Sequence, residues 1–346
     1  MTVMEWMKAM GHEQVVFGRD PKAGYNAIIA IHSTALGPSL GGARLWSYAT
    51  DDDAMVDALR LSKGMTYKNA VAGIPFGGGK SVILSNGGAT DREKLFRAHG
   101  RFVDTLGGRY ITAEDVGTSP ADMEYVRLET RHVGGLRNGS GDPSPLTARG
   151  VLRAIQASAK FRWGSEDLSG KTVAVQGCGH VGYSLMQALK TAGARLIVSD
   201  VNAELTSRAA SELDAEVTAP EAIYTAEADI FAPCALGGIL NSDTIPRLKV
   251  EIVAGAANNQ LLEPGDGDAL ELRKILYAPD YVANAGGVLN GCIELLGWSR
   301  EHVAERIDHI YDTMMSVFRL AAADGIPAYR AADRLAEQRL AAANPD

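Results

Sequence analysis

Cysteine is scarce in this chain of 346 residues. The three present, Cys178, Cys234 and Cys292, are odd in number and far apart. That excludes a disulfide framework, offers no metal-type pairing, and suits reduced thiols in a cytoplasm. Long apolar runs are missing too, and no stretch approaches the roughly 20 residues a membrane span needs. The opening MTVMEWMKAMGHEQ carries Glu5 and no apolar core, so it does not read as a secretory signal. Positive charge is not in excess. The net charge of −8 argues against nucleic acid or an anionic membrane as the main partner. Seven scattered histidines show no HExxH or comparable spacing, so no metal site is expected.

What remains is ordinary globular composition, 46% hydrophobic and 22% charged, at a length that suits two domains. The first half mixes strands and helices. AIIAIH (27–32) predicts a strand. Thr50-Asp51-Asp52-Asp53 is a helix start rich in cap and dipole partners, opening a helix to Lys68 with Met55, Leu59, Leu61, Ser62 and Met65 on its buried face. A second helix is expected from Asp91 to Leu106 and a short strand from Arg109 to Thr112. Residues 134–146, GGLRNGSGDPSPL, form the best boundary in the chain. Beyond it, strands at 172–176, 196–200, 228–232, 252–254 and 275–278 alternate with helices such as 179–192. That pattern predicts a parallel sheet with helices on both faces. Residues 299–342 read as nearly all helical, punctuated by Gly325 and Pro327.

The stretch IPFGGGKS (74–81) ends like a nucleoside-triphosphate phosphate loop. The spacing fails, because GxxxxGK[ST] needs glycine at position 74, which is Ile74. The context fails as well. Lys80 runs into Ser81-Val82-Ile83-Leu84 and a turn at Ser85-Asn86-Gly87-Gly88, which reads as a strand rather than a helix. Lys80 therefore needs another role, and the three glycines before it leave no side chains to crowd it.

Gly177-Cys178-Gly179-His180-Val181-Gly182 is GxGxxG, a cheap pattern in a chain with 38 glycines. Here it follows the strand TVAVQ and opens an apolar helix, and Asp200 closes the next strand, near the distance at which an acid binds ribose hydroxyls. Gly177 would make the turn, Gly179 would admit pyrophosphate to the backbone, and Gly182 would pack helix on strand. An acid at Asp200 repels a 2′-phosphate, so NAD is preferred to NADP.

The chemistry must come from elsewhere in the chain. LGPSLGGAR (36–44), GMTYKNA (64–70), PFGGGKSVI (75–83), TAEDVGT (112–118), GCGHVGY (177–183), APCALGGILN (232–241), AGAANNQL (254–261) and YAPDYVANAGGVLN (277–290) occur in one order. Through them nearly the whole chain resembles the glutamate, leucine, phenylalanine and valine dehydrogenases, above all the leucine/phenylalanine/valine branch. The resemblance implies an α/β fold of two domains with a cleft between them: a substrate-binding domain over 1–140 and a doubly wound, Rossmann-type NAD-binding domain over 141–324. The final helices, about 325–346, would return to the first domain. It implies NAD-dependent oxidative deamination of an L-amino acid to a 2-oxo acid and ammonium.

The same resemblance assigns Lys80 as the catalytic base and Asp115 as the acid at the substrate amino group. A lysine serves as a base near neutral pH only when burial or a nearby cation lowers its pKa, and Lys68 is one such cation. Lys68 and Asn258 match the groups that hold the substrate carboxylate. Gly41 and Gly42 match the backbone lining the substrate. Thr147, Asn284, Ala235 and Tyr183 match cofactor contacts. Leu40, Met65, Ala113, Val288 and Gly291 match the side-chain pocket. That lining is apolar and disfavours glutamate. Ala113 resembles leucine-type enzymes, whereas Gly291 stands where those carry a bulkier residue and so enlarges the pocket. Branched-chain substrates are expected first and aromatic ones second. The resemblance also implies a homo-oligomer. The rivals are a non-catalytic NAD-binding regulator, disfavoured by Lys68, Lys80, Asp115 and Asn258 occurring together, and an ATP-dependent enzyme.

Overall fold

A computed structural model describes residues 1–85 and 91–343. Asn86 to Gly88 of the expected turn, and residues 344–346, lie outside the described residues. The chain divides into two compact units: Met1–Gly141 with Gly291–Trp298 and Ala336–Asp346, and Asp142–Asn290 with Ser299–Leu335. The stretch 291–298, inside the segment expected for the second domain, thus groups with the first, and 325–335 groups with the second.

The first unit is built on five strands: β1 (Gln14–Asp20), β2 (Tyr25–Ser33), β3 (Ser39–Trp46), β4 (Gly77–Leu84) and β5 (Tyr110–Glu114). Their order is β1-β2-β4-β3-β5. β1, β2 and β4 pair antiparallel, while β3 runs parallel to β4 and β5. β2 is apolar on successive residues because both of its faces are covered. Ile28 and Ala30 join Val82 against Ala54, Met55, Ala58 and Leu59 of the Asp51–Ala72 helix. Tyr25 and Ala27 face Leu95, Phe96 and Ala98 of the Arg92–Asp104 helix, with Met123 and Val126 of the Pro120–Arg127 helix.

The Asp51–Ala72 helix starts at a capping box, in which Thr50 Oγ1 accepts from the Asp53 amide and Asp53 accepts in return. Such a cap contributes about 1 kcal/mol. Its buried residues recur at helical spacing (54, 55, 58, 59, 62, 66), and each large apolar side chain among them contributes about 1.5–3 kcal/mol. Leu61 and Met65, expected on that face, are only half-buried. The helix also outruns its expected end at Lys68 and stops at Gly73, whose φ of 66° supplies the left-handed cap.

The second unit carries six parallel strands: β6 (Thr172–Gln176), β7 (Arg195–Ser199), β8 (Glu216–Val217), β9 (Ile230–Pro233), β10 (Ile252–Val253) and β11 (Leu276–Tyr277). Their order is β11-β10-β9-β6-β7-β8. From β6 the chain winds outward through β7 and β8, then returns to β9 on the other side. The switch point between β6 and β9 is where open parallel sheets bind ligands, beyond the strands' carboxyl ends. The Ser144–Trp163 helix packs on the His180–Thr191 and Ile310–Asp324 helices, with the Phe161 and Phe318 rings 5.1 Å apart. No helix among the described residues is long and apolar enough to cross a membrane.

Candidate active site

Lys80 lies within β4, not in a loop, so the last trace of a phosphate loop disappears: GKS opens no helix. Register explains what surrounds it. Lys80 pairs across from Ala30, Gly78 from Leu40, and Gly42 from Ala113, which sets these residues on the face covered by the Asp51–Ala72 helix. Lys80 is 5% exposed. Its Nζ lies 2.9 Å from Asp115 Oδ2. Asp115 follows β5 directly, one residue beyond Glu114.

The three glycines before Lys80 do not open a space beside it. A Cβ on Gly77 would lie 1.9 Å from the Ser33 carbonyl oxygen, one on Gly78 2.1 Å from the Thr66 nitrogen, and one on Gly79 2.7 Å from the Tyr110 ring. The protein itself fills the room they leave, and the glycines are there because chain passes chain. Gly42 serves Asp115 in the same way, since its Cβ would meet the Glu114 carbonyl at 2.4 Å and Asp115 Cβ at 2.8 Å. Gly41 is crowded by the Gly79 carbonyl, and its own carbonyl accepts from the Tyr110 hydroxyl at 2.5 Å.

The same Asp115 oxygen takes a second cation. Arg44 Nε donates to Asp115 Oδ2 at 3.0 Å, and its NH1 donates to Asp57 Oδ2 at 2.9 Å. Tyr48 donates to that Asp57 oxygen at 2.5 Å. Asp115 Oδ1 takes no hydrogen bond from the described residues. Burial depresses the Lys80 pKa below the ordinary lysine range, Asp115 pulls it back up, and Arg44 adds to the depression. Arg44 is thus a neighbouring cation of the kind expected of Lys68. Burial pushes the Asp115 carboxyl up, but the Lys80 ammonium and Arg44 guanidinium outweigh it and hold the group below the usual carboxylate range. Lys68 is half-buried, one turn beyond Gly64 and Met65 on the helix over this face. Leu40 is buried, and Met65 and Ala113 are half-buried.

In the second unit, the glycine turn joins β6 to the His180–Thr191 helix. Gly177 has φ +99°, and a Cβ there would meet Ala235 at 2.9 Å. Gly182 approaches so closely that its Cβ would lie 2.0 Å from the Gly177 carbonyl oxygen. Gly179, by contrast, has nothing within 4 Å. It caps a helix whose N-terminus has no side-chain cap, and His180 beside it is exposed. An anion fits this open backbone and the helix dipole behind it. Asp200, one residue past β7, accepts the Cys178 amide through Oδ2 at 2.7 Å and the Asn202 amide through Oδ1 at 2.8 Å. Cys178 itself is buried, and burial beside Asp200 pushes its thiol up to about 11. Val181 is half-buried. Tyr183 is held by its neighbours: its hydroxyl donates to Glu212, and Arg208 stacks 3.9 Å from its ring centre.

Asn284 Nδ2 donates to the Ala256 carbonyl at 3.1 Å and to Asn258 Oδ1 at 2.9 Å, which draws these two predicted residues together. Asn284 Oδ1 is buried and has no hydrogen-bond partner among the described residues. Thr147 Oγ1 donates to the Pro143 carbonyl and would lie 3.2 Å from a Cβ on Gly287. Val288 and Gly291 sit one turn apart on the Gly286–Leu296 helix, and a Cβ on Gly291 would meet nothing within 4 Å. Among the described residues no three His, Cys, Asp or Glu side chains are grouped to hold a metal.

Arg44, Asp57 and Tyr48 escaped the reading of the sequence. Arg44 stands in the motif LGPSLGGAR, two residues after Gly42 and so on the same face of β3, which was the available signal.

The buried Lys80 beside the half-buried Asp115 lies in one α/β unit, and the glycine turn lies at the switch point of a second, Rossmann-like unit, the two-domain α/β arrangement that solved structures also match. Residues 12–132 match the description Glu/Leu/Phe/Val dehydrogenase, dimerisation domain, and residues 200–346 match Glutamate/Leucine/Phenylalanine/Valine dehydrogenase. The chain is 52% identical over 343 residues to a leucine dehydrogenase of Thermoactinomyces intermedius, covering 98% of this chain and 94% of that one. It is 48% identical over 342 residues to a valine dehydrogenase of Streptomyces coelicolor, covering 97% and 94%. The crystal structure of L-tryptophan dehydrogenase from Nostoc punctiforme matches with a TM-score of 0.89 at 45% identity, over 98% of this chain and 99% of that one. The chain belongs to the glutamate/leucine/phenylalanine/valine dehydrogenase family, and its class is that of the amino-acid dehydrogenases.

Proposed function

We propose that this protein catalyses the reversible, NAD-dependent oxidative deamination of an apolar L-amino acid, with leucine and other branched-chain amino acids as substrates. The observation that carries this reading is the buried Lys80, 2.9 Å from Asp115, in the first unit. NAD, when bound, supplies the hydride acceptor that turns the substrate α-amine into an imine. Lys68 and Asn258 hold the substrate carboxylate. Asp115 accepts from the amino group and takes up its proton. Lys80, its pKa depressed by burial, removes a proton from the water that adds to the imine carbon, and the resulting carbinolamine collapses to the 2-oxo acid and ammonium.

The open backbone at Gly179 supports pyrophosphate binding at the helix start, and Asp200 at the end of β7 supports NAD over NADP. The Asn284 Oδ1, without a partner among the described residues, is an acceptor suited to the amide of nicotinamide, and Thr147 and Ala235 are assigned to the same cofactor. Tyr183 serves that site by packing against the Ala203–Leu213 helix. The apolar positions Leu40, Met65, Ala113 and Val288 support an apolar side chain, and the open space at Gly291 supports larger, aromatic side chains as second choice. A homo-oligomer is supported by the match to a dimerisation domain, and a cytoplasmic setting by three cysteines that form no disulfide.

The test is NADH formation across a panel of L-amino acids, with Lys80→Ala as control. Activity with branched-chain amino acids that the substitution abolishes is expected. No activity with any amino acid, or full activity in the variant, would sink the reading.

A further inference from the structure

We propose that Arg44 is a positioning residue for the Lys80–Asp115 pair, shared between Asp115 and Asp57 so that Asp115 Oδ1 alone is left to take the substrate amino group. This rests on the reading of Lys80 and Asp115 as the catalytic groups. Lys80 Nζ and Arg44 Nε converge on one oxygen, Asp115 Oδ2, at 2.9 and 3.0 Å. A carboxylate gripped by two cations through one oxygen has its orientation fixed, and its other oxygen is presented. Arg44 cannot rotate away, because its far nitrogen is bonded to Asp57 Oδ2, which also accepts from Tyr48. The planar guanidinium is suited to this bridging, since its donors point in fixed directions.

The arrangement also sets the charge around Lys80. Facing Lys80 are Asp115 after β5, Arg44 from β3, and Asp57 from the helix above, with Tyr48 capping Asp57 and Lys68 further along that helix. Asp115 favours the Lys80 ammonium. Arg44, by occupying the same oxygen, opposes it, and Asp57 partly offsets Arg44. Removing Arg44 should therefore make Lys80 harder to deprotonate, and removing the Asp57 charge should make it easier.

The experiment is the pH dependence of kcat and KM for the full-length enzyme in the deamination direction, with Arg44→Leu, Arg44→Lys, Asp57→Asn and Lys80→Ala. Arg44→Leu should lower kcat by about 10- to 100-fold, since a misplaced reacting group costs on that order. Its acid limb should move to higher pH. Arg44→Lys should keep the limb near its original position, because it restores the charge, with only part of the rate. Asp57→Asn should move the limb to lower pH. Opposite displacements in Arg44→Leu and Asp57→Asn are a signature that general loosening of the fold does not produce. Displacements of the same sign, or an unmoved limb in Arg44→Leu, would overturn the proposal. If Arg44→Leu does not fold, Arg44→Lys and Asp57→Asn carry the same decision through the limb alone. Lys80→Ala separates the two levels: full activity there defeats the proposed function, while loss there with an unmoved limb in Arg44→Leu and Asp57→Asn defeats this inference only.

Discussion

Gly78 and Thr66 are packed so closely that no carbon fits between them. A Cβ on Gly78 would lie 2.1 Å from the Thr66 nitrogen and 2.2 Å from its hydroxyl oxygen. The nearer atom is helix backbone, which cannot swing aside. Gly78→Ala should thus push the Asp51–Ala72 helix off the sheet and destabilise the fold by about 3 kcal/mol, the upper part of the usual overpacking range. Gly64, on the same helix, has nothing within 4 Å, so Gly64→Ala should instead stabilise by about 0.5–1 kcal/mol. Urea unfolding of the two variants checks both signs. Equal midpoints would show that β4 and the helix are not in close contact.

At the dinucleotide turn, Asp200 receives the Cys178 amide at 2.7 Å while its other oxygen receives Asn202. Asp200→Ala removes a charged acceptor from the turn together with the acid that would repel a 2′-phosphate. Losing a hydrogen bond to a charged group costs about 1.5–3 kcal/mol. With Asp200 in its proposed role as acceptor for the ribose hydroxyls, KM for NAD should rise by roughly 10- to 100-fold, and kcat/KM with NADP should rise relative to that with NAD. The measurement is kcat/KM with each dinucleotide. A ratio unchanged by the substitution would remove Asp200 from the cofactor site.

The two halves of the molecule were unequally legible. β6 coincided with its expected span at 172–176, and the glycine turn followed it, because GxGxxG encodes constraints that act within a few residues: a left-handed φ at Gly177 and close packing at Gly182. β3 and the start of β4 were hidden. Leu40-Gly41-Gly42 and Gly77-Gly78-Gly79 have little side-chain alternation and poor strand propensity, and what makes them strands is contact with distant backbone. The Ser144–Trp163 helix was obscured by Pro143 and Pro145 at its start, where proline is tolerated and easily mistaken for loop. Arg44 was invisible for a different reason. An isolated arginine reads as a solvated charge until the register of β3 and β5, with Ala43 opposite Glu114, sets it beside Asp115.

Gly291 offers a direct handle on substrate choice. Its surroundings are open, and Val288 lies one turn away on the same helix. Gly291→Leu should be tolerated by the fold, with an unfolding midpoint close to that of the parent. It should lower kcat/KM for aromatic amino acids relative to leucine, by about 10- to 200-fold, the range for a change of this size in an apolar pocket. A variant that keeps its stability and its substrate ratio would take Gly291 out of the pocket.

Acid sensitivity should arise within the first unit, at His12 and His32. Their rings meet edge to face at 4.8 Å beneath the N-terminal Val3–Met10 helix. His12 Nε2–H donates to the Leu59 carbonyl and lies 2.8 Å from Ser62 Oγ, which leaves Nδ1 as a buried lone pair without a partner among the described residues. His32 bonds Thr66 and the Met10 carbonyl. Burial lowers both pKa values to about 4; His32 adds to this at His12 and Lys63 adds at both, while the Leu59 carbonyl opposes it at His12 and the Met10 carbonyl and Glu13 oppose it at His32. A group with a depressed pKa in the folded state contributes full stability above its unfolded value of 6.5, and that contribution is lost as the pH falls toward 4. In this window the unfolded chain takes up protons that the native state refuses, because a proton on His12 Nδ1 would be a buried charge with no acceptor. The unfolding midpoint should fall steadily from pH 6.5 to about 4, and the double variant His12→Gln, His32→Gln should show a flatter profile. An equally steep profile in that variant would move the effect to other groups, with His99 first, since burial holds it near 3.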